Sequence, residues 1–155
     1  AGDGDADHAG HEVVRGRVRV RHADHRPARV EDRAAAVAAL NGPQDVPEQK
    51  NKEFESKRNL VMDAMNAIPG LICPRPQGAF YVFPDISCAF GKKYNGAVIS
   101  NDVEFCNALL DAKGVACVPG SAFGEPNSLR ISYTCPSAQL PEGLKRFVDF
   151  FAELT

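Results

Sequence analysis

An α/β domain, with helices layered on one sheet, is the fold this sequence predicts, and three observations carry it. Apolar side chains recur at helical spacing around residues 54–68 and again around 140–154. Between those stretches lie short apolar and aromatic runs bounded by proline and glycine, which is how strands are punctuated. From Ala34 onward the order is helix, strands, helix, strands, helix, an order that stacks helices against a sheet.

Taken in turn, residues 34–40 form a short helix stopped by Asn41-Gly42-Pro43. Asp45 can cap a second helix, with Pro47 in its first turn and Glu48 at capping-box spacing. Phe54, Val61, Met65 and Ile68 then make one stripe along it, and the charged Lys50, Lys57 and Asp63 sit off that stripe. Pro69-Gly70 ends the helix. Residues 71–73 and 79–83 are strand-like, with Pro74, Pro76 and Gly78 in the turn between them. Residues 89–100, with Gly91, Lys92, Lys93 and Gly96, suggest a mobile surface loop. Asn101 and Glu104 are spaced as another capping box, opening a helix with Val103, Cys106 and Leu110 on one side and Gly114 as its stop. Residues 115–118 and 129–133 are the remaining strands. A last helix carries Leu140, Leu144, Phe147, Phe151 and Leu154, with Pro141 confined to its first turn.

At 155 residues the chain is one domain or part of a larger one. A net charge of −2 with no basic stripe argues against nucleic acid as a partner. No apolar run reaches the length of a membrane span and no signal segment is evident, so a cytoplasmic or organellar protein, not a secreted one, is expected. The five cysteines are odd in number and lack a CxxC pair; they suggest reduced, mostly buried thiols and neither a disulfide frame nor a zinc site.

Residues 1–33 stand apart. They contain arginine but no lysine, all four histidines of the chain, and no Leu, Ile, Phe or Tyr. With so little to bury, the segment is expected to be disordered. Every residue type in it can be encoded by codons starting with G or C, so an out-of-frame translation is a second reading. A metal site on His8, His11, His22 and His25 is a third, lacking an apolar frame to hold it.

The candidate functional side chains lie in the ordered part. In LRISY (129–133), alternation puts Leu129, Ile131 and Tyr133 on one face and Arg130 and Ser132 on the other. Arg130 either faces water or presents its two parallel N–H donors to a carboxylate. PGSAFG (119–124) is a turn whose glycines allow close backbone approach to a small ligand. In GAFYVF (78–83), Phe80 and Tyr81 fall on opposite faces, and Phe80 either packs in a strand or lines a pocket wall. Lys92 and Lys93 are solvated. The ordered part contains no histidine, no Walker-type motif and no GxGxxG after a strand, so spacing alone yields no catalytic set.

Four stretches in sequence, AAVAALNGPQD (35–45), NAIPGL (66–71), PQGAFYVFPDI (76–86) and VACVPGSAFG…LRISY (115–133), resemble the C-terminal part of a class I aminotransferase. The resemblance is strongest to aspartate aminotransferases of the bacterial and plastid type and runs from Ala34 to Leu154. It implies a fold-type I enzyme dependent on pyridoxal 5'-phosphate, a homodimer with a large cofactor domain and an α+β small domain. Residues 34–45 would end a large-domain helix and link it to the small domain of residues 46–155. It implies that Arg130 binds the α-carboxylate of the substrate and that Phe80 lies near that substrate. It places the Schiff-base lysine, the carboxylate on the pyridine nitrogen and the phosphate-binding helix upstream of Ala34. Neither Lys92 nor Lys93 matches that lysine. The expectation is therefore a fragment that alone neither holds the cofactor nor transaminates. The whole enzyme would move the amino group of an amino acid, aspartate first, to a 2-oxo acid such as 2-oxoglutarate; prephenate, aromatic and alanine donors stay open. The rival reading is a non-enzymatic α/β binding module with a disordered arginine-rich tail.

Overall fold

A computed structural model describes residues 30–155, so the three readings of the histidine-rich start lie almost wholly outside the described residues. The described residues divide into two units, one ending at Pro43 and the other spanning Gln44–Thr155. In the first unit, helix α1 spans Val30–Asn41, beginning four residues before Ala34, and is exposed from Asp32 onward.

The second unit is α/β, as the alternation predicts. Helix α2 (Asp45–Asn66) is followed by strand β1 (Tyr81–Val82), a hairpin of β2 (Lys93–Tyr94) and β3 (Ala97–Val98), and helix α3 (Asp102–Lys113). Then come β4 (Val118–Pro119), β5 (Leu129–Ser132) and helix α4 (Leu140–Ala152). The sheet runs β1-β5-β4, antiparallel throughout, with Tyr81 opposite Ser132, Val82 opposite Ile131 and Val118 opposite Arg130. Its helix side carries Val82, Leu129 and Tyr133, all buried, and α4 packs against both α2 and α3.

The core follows the predicted stripes. Val61 and Met65 of α2 and Ile68 just beyond its end are buried, with Phe54 packed against them, and so are Leu140, Leu144, Phe147, Phe151 and Leu154 at the C-terminus. Phe105 sits among Phe147, Phe150 and Phe151 at centroid distances of 6.3, 5.3 and 5.1 Å. Each buried phenylalanine contributes about 1.5–3 kcal/mol by leaving water. Helix α3 is capped as its spacing predicts: the Asn101 side chain accepts the Glu104 N–H at 2.9 Å, and Gly114 closes the helix at φ 66°.

Several local expectations are corrected. Asp45 is the first residue of α2, not its cap; Gln44 precedes it and makes no side-chain cap hydrogen bond. On α3 the buried face is Asp102, Phe105, Cys106 and Leu109, while Val103 and Leu110 are exposed, because the Phe105 ring fills the site against α4. Lys57 is buried, its ammonium bonded to the Cys135 carbonyl and to Glu53, both at 2.9 Å. Strand 79–83 shrinks to two residues because Ala79 takes a left-handed φ of 62° and Pro84 has no N–H. Residues 71–73 contribute one bridge, Ile72 to Asp85.

Within residues 89–100, where a loop is expected, β2 and β3 pair as an antiparallel hairpin. Asn95 and Gly96 both have positive φ, 47° and 85°, the two-residue turn whose twist matches antiparallel strands. Lys93 exchanges backbone hydrogen bonds with Thr155, at 2.7 and 3.1 Å, and Tyr94 packs on Phe150. The five cysteines are free thiols, but only Cys106 is buried; the other four are half-buried. No helix among the described residues is long and apolar enough to cross a membrane.

Candidate functional site: an arginine between two rings

β5 is the central strand, so its side chains are flanked on both sides. The same alternation that buries Leu129 turns Arg130 to the opposite face, where it is half-buried. There its guanidinium carbon lies 4.8 Å from the centroid of Phe123 and 5.7 Å from that of Tyr81. Tyr81 comes from β1 on one side, and Phe123 from the 3-10 turn Gly120–Phe123 that leaves β4 on the other. Phe83 meets Phe123 edge-on at 5.8 Å. Among the described residues, no carboxylate pairs with Arg130.

That arrangement has a clear electrostatic meaning. Ring faces attract a cation, by about 0.5–2 kcal/mol each, and hold its plane without using its hydrogen-bond donors. A planar fork so held retains both parallel N–H groups for a carboxylate. The turn beside it depends on Gly120, where a Cβ would stand 2.2 Å from the Glu125 carbonyl oxygen and 2.4 Å from that of Ser128. Only glycine allows β5 and the turn to close this tightly.

Phe80 takes a different place. It is exposed and packs on Phe54 at 6.4 Å and edge-on to Tyr81 at 6.2 Å. It lines a groove of about 520 Å³ together with Phe54, Arg58, Gln77 and Tyr133. Arg130 is not in that lining; Tyr81 touches both, edge-on to Phe80 and 5.7 Å from the Arg130 guanidinium carbon. Phe80 is held by its backbone, whose carbonyl accepts the Tyr133 N–H at 2.9 Å, while the Tyr133 hydroxyl donates to the Ala79 carbonyl at 3.2 Å.

Sequence reasoning missed Tyr81 and Phe123 as partners of Arg130. The signal was present for Tyr81, since GAFYVF alternates it with Phe83 on one face. Phe123 needed the register of β4 on β5.

Thiol chemistry is disfavoured. Burial pushes Cys117 up to about 12, and Cys106 and Cys73 to about 11, so these remain protonated and unreactive near neutrality. The ring cluster itself contains a guanidinium but neither an amine nor a carboxylate. Of the lysines elsewhere, Lys57 is occupied by Cys135 and Glu53, and Lys113 by Glu153 at 2.6 Å.

Residues 33–147 match the family model described as aminotransferase class I and II. The chain belongs to this family. It is 47% identical over 114 residues to an aspartate aminotransferase of Rhizobium meliloti, an alignment covering 73% of this chain and 28% of the relative. A probable aspartate/prephenate aminotransferase of Rhizobium leguminosarum is 45% identical, covering 75% and 29%. Among solved structures, the Rhizobium meliloti aspartate aminotransferase superposes with a TM-score of 0.75 at 43% identity, over 80% of this chain and 31% of that one. An alanine aminotransferase from Pyrococcus furiosus gives 0.65 at 35% identity, over 77% and 29%. The chain thus spans about three-tenths of the length of these aminotransferases, 28–31%. These relatives come from bacteria and an archaeon, and none supports the plastid compartment.

Proposed function

We propose that this chain supplies the wall that binds the substrate carboxylate in an aminotransferase acting on an amino acid and a 2-oxo acid. Aspartate is the favoured donor and 2-oxoglutarate a suitable acceptor, in keeping with the names of the most similar relatives. The observation that carries this reading is Arg130: half-buried, braced between Phe123 and Tyr81, and without a carboxylate partner among the described residues. A substrate α-carboxylate would complete that fork. Phe80, one ring further along, would border the same substrate from the neighbouring groove.

Pyridoxal 5'-phosphate, which the family implies, supplies the electron-withdrawing ring for amino transfer. The cluster around Arg130 does not fit that group, since it offers no Schiff-base amine and no carboxylate for the pyridine nitrogen. Its part is to bind and orient the amino acid. The 155 residues by themselves are accordingly expected to retain no pyridoxal 5'-phosphate, read as the absence of cofactor absorbance in the dialysed chain. A homodimer is proposed for the whole enzyme, by family. The non-enzymatic alternative draws no support from the family match.

The test is kinetic. In a transaminating protein that carries this segment, Arg130→Ala should raise KM for the amino acid and depress kcat. Loss of a charged hydrogen-bonded pair costs on the order of 2–5 kcal/mol, or roughly 30- to 5,000-fold in kcat/KM. Unchanged kinetics with aspartate would remove Arg130 from the site.

A further inference from the structure

Asp102 is the one buried carboxylate among the described residues, 2% exposed. It opens α3 directly after Asn101, yet the capping of that helix is done by its neighbours. Asn101 takes the Glu104 N–H, and Glu104 takes the Ser100 N–H at 2.7 Å. Asp102 reaches across the fold instead: its Oδ2 accepts the backbone N–H of Ser121 at 2.7 Å. Burial pushes this carboxyl up, but hydrogen bonds from the Ser121 backbone and side chain, and from the first amides of α3, outweigh it and hold it below the ordinary value.

Ser121 belongs to the Gly120–Phe123 turn. The N–H groups at the start of such a turn have no partner within it. The rest of the loop is closed by backbone: Gly120 donates to the Ser128 carbonyl at 2.8 Å, and Glu125 to the Gly120 carbonyl at 3.0 Å. Two residues beyond Ser121, Phe123 lies against the Arg130 guanidinium at 4.8 Å.

We infer that Asp102 is a positioning residue for the carboxylate site: by holding the Ser121 amide it fixes the turn that lays Phe123 on Arg130, and so aims the guanidinium fork. Its role in the reaction rests on the carboxylate-binding reading of Arg130; the mechanical link from Asp102 to Arg130 does not. A carboxylate two elements away thus acts on the site without touching the substrate.

The experiment is side-chain NMR on the 155-residue chain, following the Arg130 Nε–H and δ-methylene signals, which ring currents of Phe123 and Tyr81 displace. Phe123→Ala defines the unstacked position. Asp102→Ala should move the Arg130 signals most of the way to that position, while the amides of Leu109 and Phe147 keep their native shifts. Asp102→Asn, which retains an acceptor for the Ser121 amide, should leave Arg130 near its native signal. Native Arg130 signals in Asp102→Ala, or an equal displacement in Asp102→Asn, would overturn the link. If Asp102→Ala does not fold, hydrogen exchange in the native chain decides: Ser121 protected well beyond Ala122 supports the pin, and equal exchange at the two overturns it. The link is read without ligand. A separate titration with 2-oxoglutarate that left Arg130 unmoved would defeat the carboxylate reading alone.

Discussion

The phenylalanines of α3 and α4 and the rings around Arg130 stand at similar separations, yet one set is sealed and the other open. Phe105, Phe147 and Phe150 are at most 1% exposed, whereas Tyr81 and Phe123 are 38% and 49% exposed. The sealed set surrounds only hydrocarbon; the open set surrounds a cation. Ring packing in the first place contributes to folding, and in the second it keeps a charge oriented toward a ligand. Substitutions should therefore divide cleanly, costing stability at one cluster and binding at the other.

The largest expected effect lies in the sealed cluster. Phe147→Ala should destabilise the chain by about 3–5 kcal/mol, read by denaturant unfolding, because it removes a ring and leaves a cavity. At the open cluster, Arg130→Lys keeps the charge but loses the planar fork, so stability should hold while kcat/KM of a transaminating protein falls at least tenfold. Equal activity would mean that a point charge suffices there. Phe123→Ala comes next, weakening one cation–ring contact by about 0.5–2 kcal/mol in carboxylate affinity with little change in melting temperature. Gly96→Ala, at a φ of 85° in neither cluster, should cost about 1 kcal/mol of stability through backbone strain and leave carboxylate affinity untouched.

The smallest effect is electrostatic. Hydrogen bonds from Lys50, then Lys57, hold the Glu53 carboxyl at about 2, below its ordinary 4.5. A depressed carboxyl stabilises the fold above its ordinary value, and that contribution disappears as pH falls from about 4.5 toward 2. Glu53→Gln should flatten the acid limb of the stability curve in that window.

What could be read from sequence divides along the same physical line. Local signals were legible: the stripes of α2 and α4, the Asn101 cap, the Gly114 stop, and the side of β5 on which Arg130 lies. The Asn95-Gly96 pair was a local signal too, but its flanking lysines and glycines suggested a loop, and only the pairing of Lys93 with Thr155 makes the hairpin plain. Lys57 was placed off the apolar stripe with Lys50 and Asp63, and nothing local announces its bond to a carbonyl 78 residues away. The pairing of Phe123 with Arg130 depends on strand register, which alternation alone does not fix. Phe80 was expected beside the substrate by resemblance; it lines the groove with Phe54 and Tyr133 and meets Tyr81 edge-on, a placement that depends on packing across strands rather than on local pattern.

The most direct test of the carboxylate wall is an NMR titration of the chain with 2-oxoglutarate. Saturable displacement of the Arg130 Nε–H and of the Phe123 ring protons, absent with the uncharged dimethyl ester, is the predicted result. Arg130 signals that stay fixed, or that drift in parallel with every exposed arginine, would contradict it.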